Sequence, residues 1–279
     1  MSPPASRSTS ATVNAMPPLA PRHWVLPALV LLLTLPLWRH WYEPGLFYAL
    51  NQALGVLPDL AWSLLSLLGT GWAVFAFTSP ALWRRPQVLL VWLCAAPLAG
   101  IFTRAGKSFF YSPRPLEALG PEGIRVIGEP LFVAAMPSGH TITAFAAATA
   151  IYFSLTPGYR RRHLWLFLVA LGVALSRVAV GAHWPADVAV GAALGMLSGL
   201  CGAWLCGRLP PSWLNPESWP TRAAAVLGLY CAYVLVSDEM GFVQNLPFQY
   251  LLAAYLGANL LLYARHCWRR QANLNPEET

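Results

Sequence analysis

The run Ala186-Asp187-Val188-Ala189-Val190-Gly191-Ala192-Ala193-Leu194-Gly195-Met196-Leu197-Ser198-Gly199-Leu200-Cys201-Gly202-Ala203-Trp204-Leu205-Cys206 decides what kind of chain this is. A helix needs ~20 apolar residues to cross the hydrocarbon of a bilayer, and this run supplies them with one charge, Asp187, at its start. Gly191, Gly195 and Gly199 recur every fourth residue. They therefore share one helix face and admit a neighbouring backbone, which we read as packing inside a bundle. Working outward, similar apolar runs occupy 24–41, 57–78, 87–104, 138–156, 163–180, 222–237 and 247–264, each within the helical window. Ala253 and Gly257 on the last run read as a packing pair of the same kind. The expected fold is all-α, a polytopic transmembrane helix bundle.

Composition agrees, with 57% hydrophobic and 10% charged residues. The net charge of +7 sits in short arginine clusters between apolar runs. A nucleic-acid surface needs a continuous basic stripe, so no nucleic-acid partner is expected. The five cysteines (Cys94, Cys201, Cys206, Cys231, Cys267) lack metal-ligand spacing, and we assign them to packing. No obligatory protein partner is evident.

Residues 1–22, rich in Ser, Pro and Ala, are expected to be a disordered cytoplasmic segment. The run after them has no small-x-small cleavage site before Trp38-Arg39-His40-Trp41, which suggests an uncleaved anchor. Arginines accumulate on alternate loops: Arg84 and Arg85, Arg160 to Arg162, Arg208 and Arg222, then Arg265, Arg269 and Arg270. Positive loops stay cytoplasmic, so the remaining loops face outward, toward the periplasm if the membrane is a bacterial inner membrane. Trp38, Trp41 and Tyr42 then fall in the outer aromatic belt, and Trp83, Trp213, Trp219 and Trp268 in the inner one.

Every string that carries chemistry lies on that outer side. Lys107, the only lysine, opens Lys107-Ser108-Phe109-Phe110-Tyr111-Ser112-Pro113-Arg114-Pro115. Pro137-Ser138-Gly139-His140 precedes the fourth run, and Ser176-Arg177 leads through Gly181 and His183 to Asp187. Ionisable groups among membrane spans are costly and are functional candidates by default. Arginine grips phosphate bidentately and lysine adds a point charge, which gives Lys107, Arg114 and Arg177 an anion to hold. Gly139 and Ser138 stand at a helix start, where free N–H groups favour anions. His183 and Asp187 are four apart, spacing that lets the carboxylate orient the imidazole and leave its other nitrogen nucleophilic.

Read together, K-x6-R-P, P-S-G-H and S-R-x3-G-x-H-x3-D resemble the signature of the type 2 phosphatidic acid phosphatase superfamily, which also holds bacterial acid phosphatases and vanadium haloperoxidases. The resemblance runs from Lys107 to Asp187 and implies a six-span phosphatase core over 23–208. Two additional spans, 209–265, and a cytoplasmic tail, 266–279, lie beyond that core with no assigned role. The resemblance further implies phosphate binding by Lys107, Arg114, Arg177, Ser138 and Gly139, attack on phosphorus by His183 oriented by Asp187, and proton transfer by His140. No metal or other cofactor is expected. The expected activity is hydrolysis of a lipid phosphate or diphosphate at the outer membrane surface through a phosphohistidine.

A phosphotransferase delivering the group to a lipid acceptor such as lipid A is the main rival. A haloperoxidase fits poorly, because that branch is soluble, and the complete motif set argues against a relic transporter. Candidate substrates are phosphatidic acid, phosphatidylglycerol phosphate, undecaprenyl diphosphate and lipid A phosphates. Arg104 and Arg125 are spare outer cations for a second phosphate, unless they neutralise Glu117, Glu122 or Glu129 or anionic headgroups. The segment between Pro115 and Pro137 is expected to rest on the membrane surface and gate lipid entry, because its run from Leu131 to Met136 is too short to span and too apolar for water. The alternative is that this run is the buried first turn of the fourth span.

Overall fold

The computed structural model describes residues 16–39, 41 and 43–274. Most of the expected disordered segment, residues 1–15, lies outside them, as do the side chain of Trp38, Tyr42 and the last residues of the tail. The described chain is all-helical, a membrane bundle built around α7 (Pro86–Phe110), α9 (Gly139–Ser154) and α12 (Pro185–Cys206).

The glycine ridge explains that core. A Cβ at Gly191, Gly195 or Gly199 would lie 2.9, 2.6 and 2.6 Å from the carbonyl oxygens of Ser138, Ile142 and Ala146. The two helices thus match in four-residue register, with backbone on backbone. Gly202 does the same toward Ala95 of α7, at 2.6 Å from its Cβ. Gly257 departs from expectation: nothing lies within 4 Å of its Cβ position, so it makes no close helix contact. All five cysteines are unbonded, with Cys206 and Cys231 buried.

Several spans differ from the apolar runs that announced them. The run at 24–41 divides into α1 (Val25–Leu33) and α2 (Leu35–Arg39), where the Thr34 hydroxyl bonds back to Val30 O at 2.7 Å and Pro36 has no N–H to continue the ladder. An unforeseen helix, α3 (Pro44–Ala53), follows; Glu43 caps it by accepting from Gly45 N at 3.2 Å.

The run at 57–78 becomes α4 (Asp59–Leu68) and α5 (Gly71–Thr78), bent by 75° at Gly69-Thr70. Thr70 restarts the helix by accepting from Ala73 N at 3.2 Å. After α6 (Ala81–Arg84), α7 runs past the expected end at 104 and carries Lys107 in its last turn. The helix stops at Tyr111, which is left-handed with φ 38°, and α8 (Pro115–Leu119) begins after Arg114.

α9 has 16 residues, about 24 Å of rise, less than the ~30 Å of hydrocarbon. It need not meet lipid on its own terms, because most of its surface is covered by other helices. Beyond α10 (Pro157–Arg160), α11 (Trp165–Ala179) leads to α12, and α13 (Trp219–Ser237) and α14 (Leu246–Leu274) form a hairpin against α5. By length and apolarity, five described segments qualify to cross a membrane, or six if α4 and α5 count as one bent span. The eight expected runs are therefore not all straight spans; α1 and α9 are short and α4–α5 is broken.

Candidate active site

Lys107 ends α7, His140 is the second residue of α9, Arg177 lies in the last turn of α11, and Asp187 is in the first turn of α12. α9 and α12 run parallel to each other and antiparallel to α7 and α11, which brings these four helix ends to one level of the bundle. Arg114 and His183 come from the loops beside them.

His183 is 2% exposed and sits just outside α12. Pro185 starts that helix with φ already suited to it, and the carboxylate of Asp187 folds back across the start. Asp187 Oδ2 accepts from Trp184 N at 2.9 Å and faces His183 Nδ1 at 3.3 Å. A carboxylate can only accept, so Nδ1 carries the proton and Nε2 keeps its lone pair. Burial pushes the His183 imidazole well below its ordinary 6.5, and the charges of Arg114, Arg177, Lys107 and His140 push it further. The ring is therefore held neutral with a free nitrogen, as a nucleophile must be.

That nitrogen faces Arg114, whose Nη1 is 3.4 Å from Nε2. Arg114 is buried and held by backbone carbonyls: Nε donates to Val133 O at 2.8 Å, Nη1 to Ala182 O at 2.9 Å and Nη2 to Ala134 O at 3.4 Å. Arg177 is also buried and gives Nη1 to Ser66 Oγ at 2.9 Å, while its Nε has no hydrogen-bond partner among the described residues. Lys107 is half-buried. Among the described residues, none of these three cations has a carboxylate within 4 Å. Buried cations are ordinarily paired, so this cluster has the charge to take an anion.

Ser138 caps α9 by position only. Its buried hydroxyl accepts from Thr141 Oγ1 at 3.0 Å, and its N–H donates to Asp187 O at 3.1 Å. This ties the P-S-G-H turn to the start of α12. Gly139 leaves its neighbour Thr103 just enough room, 3.0 Å from a Cβ position. His140 opens on two cavities. One is a groove of about 890 Å³ between α5, α7 and α9, lined by Trp72, Trp92, Gly100, Arg104 and Ala147. The other, about 120 Å³, is lined by Arg177, Gly181, Met240, Gly241 and Phe242. Among the described residues, no group of three His, Cys, Asp or Glu side chains converges as a metal set.

Some expectations need correction. Arg125 is spent on structure: it pairs with Asp59, not with Glu117, Glu122 or Glu129, and donates to Leu57 O at 3.0 Å. It is therefore no reserve for a second phosphate, whereas Arg104 is exposed in the groove. The apolar strip from Leu131 to Met136 is divided. Phe132 and Val133 are exposed, but Met136 is buried against Ala186 and Val190 and cannot act as a gate. Trp41, read as an interfacial belt residue, turns inward and donates Nε1 to Asp187 Oδ1 at 3.2 Å. Sequence reasoning also passed over Ser66 and Phe242, which face Arg177 from distant segments; neither carries a local signal.

Residues 87–210 match the family model described as the PAP2 superfamily, a little under half of the chain. This chain carries a PAP2 superfamily domain. Over 73 residues it is 41% identical to the lipid A 1-phosphatase of Porphyromonas gingivalis, covering 25% of this chain and 16% of that protein. Over 74 residues it is 40% identical to the bacitracin transport permease protein BcrC of Bacillus licheniformis, covering 26% and 34%. The chain thus spans about a third or less of the length of these curated relatives. The crystal structure of Aquifex aeolicus LpxE aligns over 57% of this chain and 92% of that one, at 29% identity and a TM-score of 0.49.

Proposed function

We propose that this PAP2 protein is a lipid phosphatase that hydrolyses a lipid phosphate or diphosphate through a phosphohistidine, without a metal. The observation that carries this reading is the charge distribution. Lys107, Arg114 and Arg177 lack carboxylate partners among the described residues, while the one carboxylate nearby, Asp187, is committed to the imidazole of His183.

A phosphate bound by the three cations presents phosphorus to His183 Nε2. The N–P bond forms as the P–O bond to the lipid breaks, and the cations take up the charge on the equatorial oxygens. The leaving oxygen needs a proton, and protonated His140, on the groove side, supplies it. Negative charge on the bound phosphate favours that protonated form. Neutral His140 then takes a proton from water, whose oxygen attacks phosphorus and breaks the N–P bond. Inorganic phosphate leaves and His183 is regenerated. The groove beside His140 is the place for the lipid portion of the leaving group, since its walls are mostly apolar side chains.

The helix order supports an outward-facing site. The motif residues gather at one end of α7, α9, α11 and α12, and Arg84, Arg85, Arg160 to Arg162 and Arg208 lie at the other end. With the arginine end cytoplasmic, the site faces the periplasm of a bacterial inner membrane. In this reading residues 23–208 are the catalytic unit.

The test is release of inorganic phosphate from purified protein given a panel of lipid phosphates, with and without EDTA. The P. gingivalis relative puts a lipid A phosphate first, with phosphatidic acid, phosphatidylglycerol phosphate and undecaprenyl diphosphate alongside. We expect release that survives EDTA. Phosphate transferred to a lipid acceptor instead of water would make the protein a transferase. Activity lost to EDTA and restored by a divalent metal would overturn the site chemistry.

A further inference from the structure

The matched family domain ends at residue 210, yet one wall of the phosphate site comes from beyond it. The turn between α13 and α14 reaches across the bundle to the outer end of α11. Its chain is left-handed at Met240 and Gly241, φ 50° and 77°, which lets it double back, and Gly241 O accepts from Glu129 N at 2.8 Å. A Cβ at Gly128 would lie 2.3 Å from that same oxygen, so the two loops meet backbone to backbone.

The turn is also fastened to α4. Asn245, 1% exposed, accepts from Ser63 Oγ at 2.8 Å and donates to Ser63 O at 2.9 Å. One helical turn further along α4, Ser66 holds Arg177. Phe242 is buried among Trp62, Ile127, Ala179, Val180 and Ala182, with its ring centroid 5.9 Å from Arg177 Cζ. The guanidinium is thus oriented by a neutral hydroxyl and an aromatic ring. A carboxylate in either place would consume the charge that an anion needs; a ring face attracts the cation without neutralising it. The same turn lines the small cavity shared by Arg177 and His140.

We infer that Phe242, carried by the α13–α14 hairpin, is a positioning residue that holds Arg177 in its phosphate-binding orientation, so that the added hairpin completes the phosphate pocket. This rests on the assignment of Arg177 to phosphate given above. It gives the last two spans a role in the site.

The experiment measures orthovanadate binding by calorimetry, and phosphate release, for full-length protein in detergent. The variants are Phe242→Leu, Phe242→Tyr, Arg177→Lys and the Phe242→Leu/Arg177→Lys pair. Phe242→Leu keeps apolar volume and loses the ring face; it should weaken vanadate about tenfold, while Phe242→Tyr stays within twofold of wild type. In the Arg177→Lys background the Leu substitution should cost less than twofold, because its effect passes through the guanidinium. A melting midpoint for each variant separates this from loss of fold. Unchanged vanadate affinity in Phe242→Leu, or the same tenfold loss with and without Arg177, would sink the inference. Wild type that binds vanadate but frees no phosphate from lipids defeats the phosphatase reading alone. Wild type that binds no vanadate defeats both.

Discussion

Gly69 and His140 are packed so closely that a methyl group cannot fit between them: a Cβ at Gly69 would lie 2.9 Å from His140 Cβ and 2.6 Å from Val173 Cγ1. The 75° bend between α4 and α5 therefore seats His140, the acid–base group of the proposed mechanism. Neither neighbour can yield easily, since one atom is next to a helix backbone and the other is a β-branched methyl. Gly69→Ala should cost about 1–3 kcal/mol of stability through overpacking. It should also lower kcat at least tenfold with KM little changed, because His140 is displaced while the cations stay. Steady-state kinetics with a melting curve checks this; a variant with wild-type kcat would show that the bend serves packing alone.

Asp187 is held on both oxygens, accepting from His183 Nδ1 and Trp184 N on one and from Trp41 Nε1 on the other, and in the proposed mechanism it orients His183 as the nucleophile. His183→Ala should abolish turnover by many orders of magnitude, as no acceptor remains for the covalent step. Asp187→Asn should lose roughly 10²–10⁴ in kcat by disturbing the tautomer; the upper figure is that of a serine-protease aspartate. Trp41→Phe keeps an aromatic side chain, though a smaller one, and removes one hydrogen bond to a charged group, so about tenfold in kcat is expected. Full activity in His183→Ala, in a preparation free of other phosphatases, would place the nucleophile elsewhere.

Stability should fall in acid, and His183 contributes part of the fall. Its folded value lies well below the ordinary 6.5 because it is buried among cations. Between the two values the unfolded chain binds a proton that the folded chain does not, so stability rises with pH across that window and is lost as pH drops through it. One such group gives at most about 1.4 kcal/mol per pH unit. Melting midpoints from pH 4.5 to 8 should show a shallower acid slope in His183→Gln than in wild type. Parallel slopes would mean that His183 is not held neutral.

What could be read from the sequence was what is local. Apolar runs announced helices, glycines at 191, 195 and 199 announced a close contact, and strings of fixed spacing announced a cluster of cations and histidines. Trp41 bonds a carboxylate 146 positions away, and nothing in its neighbourhood distinguishes it from a belt tryptophan. The bend after Leu68 hides inside a continuous apolar run, because Gly and Thr are both tolerated within a span. Met136 looked like part of an exposed strip for a similar reason. Hydrophobicity does not reveal which side of a loop packs inward.

Orientation can be tested by labelling. Glu122 and Arg161 are both exposed and lie at opposite ends of the bundle, Glu122 in the loop before α9 and Arg161 in the loop after it. Positive loops stay cytoplasmic, so a membrane-impermeant maleimide added to intact cells should label Glu122→Cys above the level of unsubstituted protein, and Arg161→Cys only after lysis. The reverse pattern would invert the topology and put the site inside.

The strip that pairs with the Arg114 loop sorts its own residues into rim and core. Arg114 N donates to Phe132 O at 2.7 Å, and Ala135 N to Ser112 O at 3.0 Å. This leaves Phe132 and Val133 exposed and drives Met136 into the interior. In the proposed reading the phosphate site lies at the membrane surface, where an apolar rim meets lipid chains and does nothing for a soluble substrate. Phe132→Ser should therefore raise KM about tenfold for a long-chain lipid phosphate, the equivalent of ~1.4 kcal/mol of lost apolar contact. Its effect on a short-chain soluble analogue should stay within twofold. Met136→Ser should instead lower the melting midpoint and depress both substrates alike, since it opens a cavity against Ala186 and Val190. Equal losses on the two substrates in Phe132→Ser would make that residue structural, and no loss on either would leave the rim without a part in lipid capture.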